Sequence, residues 1–377
     1  MGASVSIRLN PFKGCEGPEG AAVPWNRYGR ILSERPNFTL DPLFHAGCYY
    51  VQDSSAMYVG YLFRKLALGN SRHASEPSLK VLDLCAAPGG KTTDLAASLR
   101  ETVGDAFELT ANEVMKARAS VLADNVAVWG DPNIFVTSVD PAIIGQRLPG
   151  YYDVIVADVP CSGEGMFRKD PRAVKEWSPE LVTLCAARQK RILADVWPAL
   201  REGGCLIYST CTYEDAENDA NLEWAASELG GTIIEPGNEF GAYGVQQTRC
   251  GNLLRAGVVP GEGQWAGALR KTTAITQSAR QASSDSGHSR ARQTGGTLAS
   301  IHPFESRMQV FDPELPCVEL DLQDALRYLH RDSLRLPDAP LGLLVACYRS
   351  HPLGLLKNIG SRCNNLYPKS RRIIMDI

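Results

Sequence analysis

Lys80-Val81-Leu82-Asp83-Leu84-Cys85-Ala86-Ala87-Pro88-Gly89-Gly90-Lys91-Thr92 passes from an apolar run through a glycine-rich turn into a helical pattern. The run is short, bounded by turn residues and apolar throughout, as a strand buried on both faces must be. The same alternation continues downstream. Phe107 to Ala111 reads as a second strand and Val114 to Trp129 as the second helix. Asn133 to Thr137 and Tyr152 to Ala157 are strands three and four. A long helix is expected from Pro179 to Leu200, a fifth strand from Gly204 to Tyr208, a helix from Tyr213 to Leu229, and a late strand from Gln264 to Leu269. Apolar strands alternating with helices predict an α/β fold, a parallel sheet covered on both faces.

Outward from this core, residues 1–78 form a lead-in. It has a turn-rich stretch from Pro36 to Pro42 and a helix capped at Asp53-Ser54-Ser55 that runs to Leu68. Residues 79–270 form the α/β domain. Residues 271–300 lose apolar content and gain Ser, Thr, Gln, Gly and Arg, the composition of a flexible linker. Residues 301–377 return to globular composition as a small separate domain. From Val345 onward that domain carries six basic residues (Arg349, Lys357, Arg362, Lys369, Arg371, Arg372) against one acid, Asp376, a local charge of +5.

The chain has 377 residues, 44% hydrophobic and 21% charged, with a net charge of −3. That is ordinary globular composition, so any footprint for nucleic acid is local. No run of about 18 apolar residues exists, and the start lacks a secretory h-region. Gly2 with Ser6 matches a myristoylation pattern by chance, because no polybasic segment follows. The cysteine count of eleven is odd and contains no C-x-x-C pair. The simple reading is a cytoplasmic protein with reduced thiols, and neither a zinc ribbon nor a disulfide framework. The six histidines are scattered with no i, i+4 pair, so no metal site is expected. A monomer with no membrane partner is expected.

The loop Cys85-Ala86-Ala87-Pro88-Gly89-Gly90-Lys91 has the geometry of a ligand cradle. Its glycines admit a close backbone approach, and free N–H groups open the following helix. A P-loop would need glycine where Cys85 stands, and G-x-G-x-x-G is absent. Glu113, at the end of the second strand, is placed to accept ribose hydroxyls, and Asp140, after the third, to face an adenine edge. Nucleoside recognition without a triphosphate cradle points to S-adenosyl-L-methionine. The alternative is a tight structural turn with Glu113 as a solvated helix-start charge.

Two cysteines complete the pattern. Cys161 lies in Asp158-Val159-Pro160-Cys161-Ser162-Gly163, and Cys211 in Tyr208-Ser209-Thr210-Cys211-Thr212. Both follow strands and have polar, turn-forming neighbours, unlike Cys185 and Cys205, which read as core residues. A thiolate nucleophile needs an electropositive pocket, and Arg168 and Lys169 are the candidate sources.

These segments resemble the Sun-type RNA (cytosine-5) methyltransferases, within them the bacterial small-subunit rRNA methyltransferase F group. Ser6 to Pro11, His45 to Met57, the 85–91 loop, Asp158 to Lys169, Tyr208 to Thr212 with Glu217-Asn218, and Lys357 to Pro368 all carry the likeness. It implies a Rossmann-like methyltransferase sheet with a small C-terminal RNA-binding, PUA-like domain. It implies that the 85–91 loop, Glu113, Asp140 and Asp158 hold the cofactor. Cys211 would be the nucleophile, Cys161 would assist product release, and Asp158 would stabilise charge at the base. Asn364, Asn365 and Tyr367 among basic residues suggest phosphate contacts plus stacking. The chain departs from the family pattern at Val128 and around Gly261-Glu262-Gly263, and its leading domain is short. A non-catalytic rRNA-binding assembly factor is the alternative function.

Overall fold

The computed structural model describes residues 5–69, 78–168, 171–272, 312 and 314–377. Beyond Thr272 the expected linker lies outside the described residues, as does Lys169.

Three sheets organise the chain. The first is antiparallel, in the order β2-β3-β1-β4, and contains β1 (Val5–Leu9), β2 (Ala21–Val23), β3 (Asn26–Leu32) and β4 (Tyr49–Val51). The central sheet contains β5 (Leu79–Asp83), β6 (Phe107–Asn112), β7 (Ile134–Thr137), β8 (Tyr152–Asp158) and β9 (Leu200–Thr210). These five run parallel in the order β9-β8-β5-β6-β7. The sheet is extended by β10 (Gly231–Ile234), β11 (Gln246–Gln247), β12 (Gly251–Leu254) and β13 (Gln264–Lys271), with β13 antiparallel to β9. The third sheet holds β14 (Cys317–Glu319), β15 (Gly342–Tyr348), β16 (His351–Asn358) and β17 (Cys363–Asn365).

The expected Rossmann-like architecture is present, but the sheet is mixed rather than wholly parallel. Alternate residues of the central strands feed two separate cores. Val81, Leu109, Val156 and Ile207 face one, and Leu82, Ile155, Leu206 and Tyr208 face the other. Each such side chain contributes about 1.5–3 kcal/mol by leaving water. Helices cover both faces for the same reason.

Helix starts differ from expectation where polar ties hold the chain extended. The second helix begins at Lys116 because Met115 is extended. The helix expected from Tyr213 begins at Asp219, after a 3-10 turn at Asp215–Glu217. Thr210 Oγ1 donates to Asn218 Oδ1 (2.5 Å) and Asn218 Nδ2 donates to Thr212 O (3.0 Å), which pins residues 210–218 outside the helix.

The N-terminal and C-terminal sheets share a core. Ile7, Leu43, Cys48 and Tyr49 pack in one cluster with Tyr328, Leu344, Leu356 and Tyr367. The reading of reduced thiols is corrected here, since Cys15 and Cys48 form a disulfide with Cα atoms 5.5 Å apart. Residues 33 apart on different loops left no local signal of that approach. Among the described residues no helix is long and apolar enough to cross a membrane.

Candidate active site

The proposed site residues converge on one edge. Asp83 ends β5, Glu113 follows β6, Asp140 follows β7, Asp158 ends β8 and Cys211 follows β9. The carboxyl edge of an open parallel sheet is where crossover loops part and leave a ligand crevice.

The loop after β5 is tied down from several sides. Ala86 N donates to Asn112 O (2.8 Å) and Gly89 N to Ala86 O (2.8 Å). Arg118 Nη2 donates to Ala87 O (2.8 Å), and Asn125 Nδ2 (2.7 Å) and Tyr50 OH (3.1 Å) donate to Pro88 O. Gly89 adopts φ +113°, a conformation that excludes most side chains. The helix Gly90–Val103 starts directly behind it. From the N-terminal sheet, fully buried Arg8 donates to Gly90 O (3.1 Å), Gln52 Oε1 (2.8 Å) and Thr93 Oγ1 (2.5 Å). Its guanidinium lies 4.7 Å over Trp129.

The acids occupy distinct environments. Asp83 is fully buried, and burial pushes its carboxyl up to about 7 against a hydrogen bond from Thr92 Oγ1 (2.7 Å). Its Oδ1 has no hydrogen-bond partner among the described residues. Glu113 is 3% exposed, so the solvated-charge reading fails. It accepts from Met115 N (3.0 Å) and pairs with Arg118 (3.1 Å). Asp140 is exposed and caps the helix Pro141–Arg147 through Ala142 N (2.9 Å), a structural task that leaves its other oxygen open.

A buried acceptor lacking a donor, two acids at neighbouring strand ends and a glycine cradle suit a ligand rich in donors. S-adenosylmethionine has an ammonium, ribose hydroxyls and an adenine amine, and so the residues fit it.

Cys161 and Cys211 are both half-buried, with their sulfurs 3.2 Å apart. The two thiols titrate oppositely. A hydrogen bond from Cys161 lowers Cys211, against burial and Asp158, with Lys91 helping. The same bond, joined by burial, raises Cys161 well above the usual thiol range. Of the pair, Cys211 is thus the thiol that yields its proton more readily and Cys161 the one that keeps it.

The electropositive source differs from expectation. Arg168 pairs with Glu262 (3.5 Å) and leans on Gly261 O (3.4 Å). The cation acting on Cys211 is Lys91, whose Nζ bonds Asp158 Oδ2 (2.8 Å). Burial opposes the Lys91 charge, but Asp158, Cys211 and Asp83 outweigh it and raise its affinity for the proton. Asp158 also accepts from Ser209 Oγ (2.7 Å) and Gln264 Nε2 (3.1 Å), so three donors hold its carboxyl in place.

Sequence reasoning missed the clamp that joins the cysteine loops. Ser162 Oγ bonds Thr212 Oγ1 (2.9 Å), and Glu164 Oε2 accepts from Thr212 Oγ1 (2.7 Å) and Tyr213 N (2.6 Å). Gly165 N donates to Cys211 O (2.6 Å). Beneath, Gln189 Nε2 bonds Glu217 Oε2 (2.6 Å) and Pro160 O (3.0 Å). The buried-cysteine reading holds for Cys185 and Cys205, each 2% exposed.

Comparisons with known proteins agree with this geometry. The family described as 16S rRNA methyltransferase RsmB/F matches residues 73–239. The N-terminal domain of 16S rRNA methyltransferase RsmF matches 2–54, and the methyltransferase RsmF PUA domain matches 315–373. Ribosomal RNA small subunit methyltransferase F of Klebsiella pneumoniae is 30% identical over 97% of this chain and 88% of its own length. The chain belongs to the ribosomal RNA small subunit methyltransferase F family. The Pectobacterium carotovorum member is 39% identical over a shorter stretch, 55% of this chain and 41% of that protein. A methyltransferase homolog protein from Pyrococcus horikoshii shares the fold, with TM-score 0.51 and 24% identity over 72% of this chain and 87% of that one. Membership makes the protein an S-adenosylmethionine-dependent RNA methyltransferase with a C-terminal PUA domain, and it sets aside the non-catalytic alternative.

One expectation for the PUA domain is corrected. Tyr367 is 2% exposed and packs edge-on against Tyr328 (5.4 Å), while Asn365 Nδ2 bonds Tyr328 O (2.8 Å) and Asp332 O (3.0 Å). Tyr367 is therefore a core residue and cannot stack on RNA, and the Asn365 amide nitrogen serves the fold. Arg371, one of the six basic residues, pairs with Asp124 (3.1 Å) across the domain boundary.

Proposed function

We propose that Cys211 is the nucleophile with which this protein methylates C5 of a cytosine in ribosomal RNA. The carrying observation is the pair of sulfurs 3.2 Å apart, a contact that lowers the proton affinity of Cys211 and raises that of Cys161.

S-adenosylmethionine, when bound, supplies an electrophilic methyl group on a sulfonium. The protein must make C5 nucleophilic, which cytosine alone is not. Cys211 Sγ adds to C6, and the ring becomes enamine-like at C5. Asp158, fixed by Lys91, Ser209 and Gln264, is the carboxyl assigned to the N3 side, where a proton carried on it neutralises the negative charge that develops. Once C5 carries the methyl, its proton leaves to a base and the C6–S bond breaks, returning Cys211 as thiolate. Cys161 is the release residue, as the donor that stabilises the departing thiolate.

The loop 85–91 with Glu113 and Asp140 would hold the cofactor, Asp158 would contribute from the neighbouring strand, and Asp83 joins them through its unpartnered oxygen. A cytosine in a helix cannot reach this recessed pair, so the substrate base must be unstacked. The PUA domain and the N-terminal sheet would dock the RNA, with a monomer as the working unit.

Methyl transfer from S-adenosylmethionine to small-subunit rRNA by wild type and Cys211→Ala tests this. Loss of transfer in Cys211→Ala is expected. Unimpaired transfer would remove Cys211 from the nucleophile role.

A further inference from the structure

Cys15, Cys48 and His351 come from three separate segments, yet one ligand atom of each lies within 4.8 Å of the others. Cys15 and Cys48 belong to the loops flanking β1 and β4, and His351 opens β16 of the PUA domain. Cys15 Sγ stands 3.5 Å from His351 Nδ1. In a tetrahedral zinc site, with Zn–S about 2.3 Å and Zn–N about 2.0–2.1 Å, sulfur and nitrogen lie roughly 3.5 Å apart. Two thiolate sulfurs in such a site lie roughly 3.8 Å apart, close to the separation that two non-bonded sulfurs adopt in any case.

We propose that, once the Cys15–Cys48 disulfide is reduced, these two thiolates and His351 bind a zinc-class divalent cation that fastens the N-terminal sheet to the PUA domain. A disulfide touching a histidine nitrogen is the oxidised form of a Cys2His ligand set. A dithiol reductant supplies two electrons and two protons, leaving two thiols and its own disulfide. The cation then displaces both thiol protons to solvent and takes the imidazole Nδ1 lone pair. Water fills the fourth position. Soft thiolates with one imidazole select zinc over magnesium or calcium.

The charged groups acting on His351 are Lys13 and Glu319. Glu319 favours a cation. Lys13 opposes it, but Lys13 Nζ is turned onto Val128 O (2.7 Å) and Ala46 O (2.5 Å). The apolar core shared by the two sheets exists without the cation, so ligand variants should still fold.

The test is cobalt titration of the full chain carrying Cys161→Ala, Cys211→Ala and Cys317→Ala, which removes the thiol pairs Cys161–Cys211 and Cys317–Cys347. After reduction by a dithiol and its anaerobic removal, one equivalent of Co2+ should give a thiolate-to-cobalt charge-transfer band that Zn2+ bleaches. The unreduced protein should give none. Adding Cys15→Ser should abolish the band, and His351→Ala should weaken binding by at least about 10–100-fold, the loss already typical of an outer-shell partner. In the reduced chain with its other cysteines intact, Zn2+ should shield Cys15 and Cys48 from alkylation. No band after reduction, equal affinity in the Cys15→Ser and His351→Ala variants, or unshielded Cys15 and Cys48 would each overturn the site. None of these readouts depends on methyl transfer.

Discussion

Cys161 Sγ lies 3.2 Å from Cys211 Sγ although 50 residues separate them and each follows a different strand. Adjacency of β8 and β9 accounts for it. The register pairs Asp158 with Ser209, so the next residues of both strands enter one crevice together. Their contact then divides two chemically identical groups into one of lowered and one of raised proton affinity.

That division predicts different failures. Cys211→Ala should lose methyl transfer by about 10⁴-fold or more, as removal of a nucleophile does. Cys161→Ala should still attack and should trap a protein–RNA adduct that survives denaturing electrophoresis. Absence of the adduct would mean that release does not need Cys161.

The pH dependence follows from the same bond. The reactive form is the thiolate, and the Cys161 bond holds the Cys211 pKa below its ordinary value. Alkylation of Cys211 by iodoacetamide should therefore rise at a pH below that of a free thiol, near 8.5. Cys161→Ala removes the donor and should move the rise to higher pH. An unmoved profile would assign the acidity to Lys91 instead.

Gly165 is a positioning residue. A Cβ there would stand 2.7 Å from Cys211 O and 3.1 Å from Cys211 Cβ. Gly165→Ala should lower kcat by about tenfold to a hundredfold, the cost of a displacement near 1 Å, with a near-normal melting temperature. Thermal scans beside single-turnover rates separate this from unfolding.

Arg8 connects the N-terminal sheet to the cofactor loop. Arg8→Met should cost about 3–5 kcal/mol, because it leaves Asp94 buried with one fewer cation (3.8 Å) and takes one donor from Gly90 O. Chemical denaturation reads the stability. Calorimetry with S-adenosylmethionine should show weakened binding in the folded fraction.

Asp140 has a measurable second task. Asp140→Asn keeps an acceptor for Ala142 N, so the helix cap and the melting temperature should survive. If Asp140 also meets the adenine, Kd for S-adenosylmethionine should rise by about tenfold, the scale of one hydrogen bond to a charged group. An unchanged Kd would reduce Asp140 to its cap.

Much of the catalytic domain was legible because burial repeats locally. Val81 to Asp83, Val154 to Ala157 and Leu206 to Tyr208 are apolar without interruption because both their faces are covered. Glycine at 89 signals a turn that only its backbone tolerates. The N-terminal sheet was hardly visible, since strands as short as Ala21–Val23 and Tyr49–Val51 carry too few residues for a period to show. Segment 213–218 resembled a helix start, but side-chain bonds among Thr210, Thr212 and Asn218 hold it apart.

By itself the sequence determined the alternation of strand and helix, the glycine turn proposed for the cofactor and the two candidate cysteines, because each is written within a few adjacent residues. Only the tertiary structure decided that Lys91 rather than Arg168 acts on Cys211, that Tyr367 is buried, and that Cys15 and Cys48 meet beside His351. Those outcomes depend on strand order, register and domain packing, which bring together side chains far apart in the chain, such as Cys15 and His351, 336 positions apart. Local spacing carries no trace of such distances.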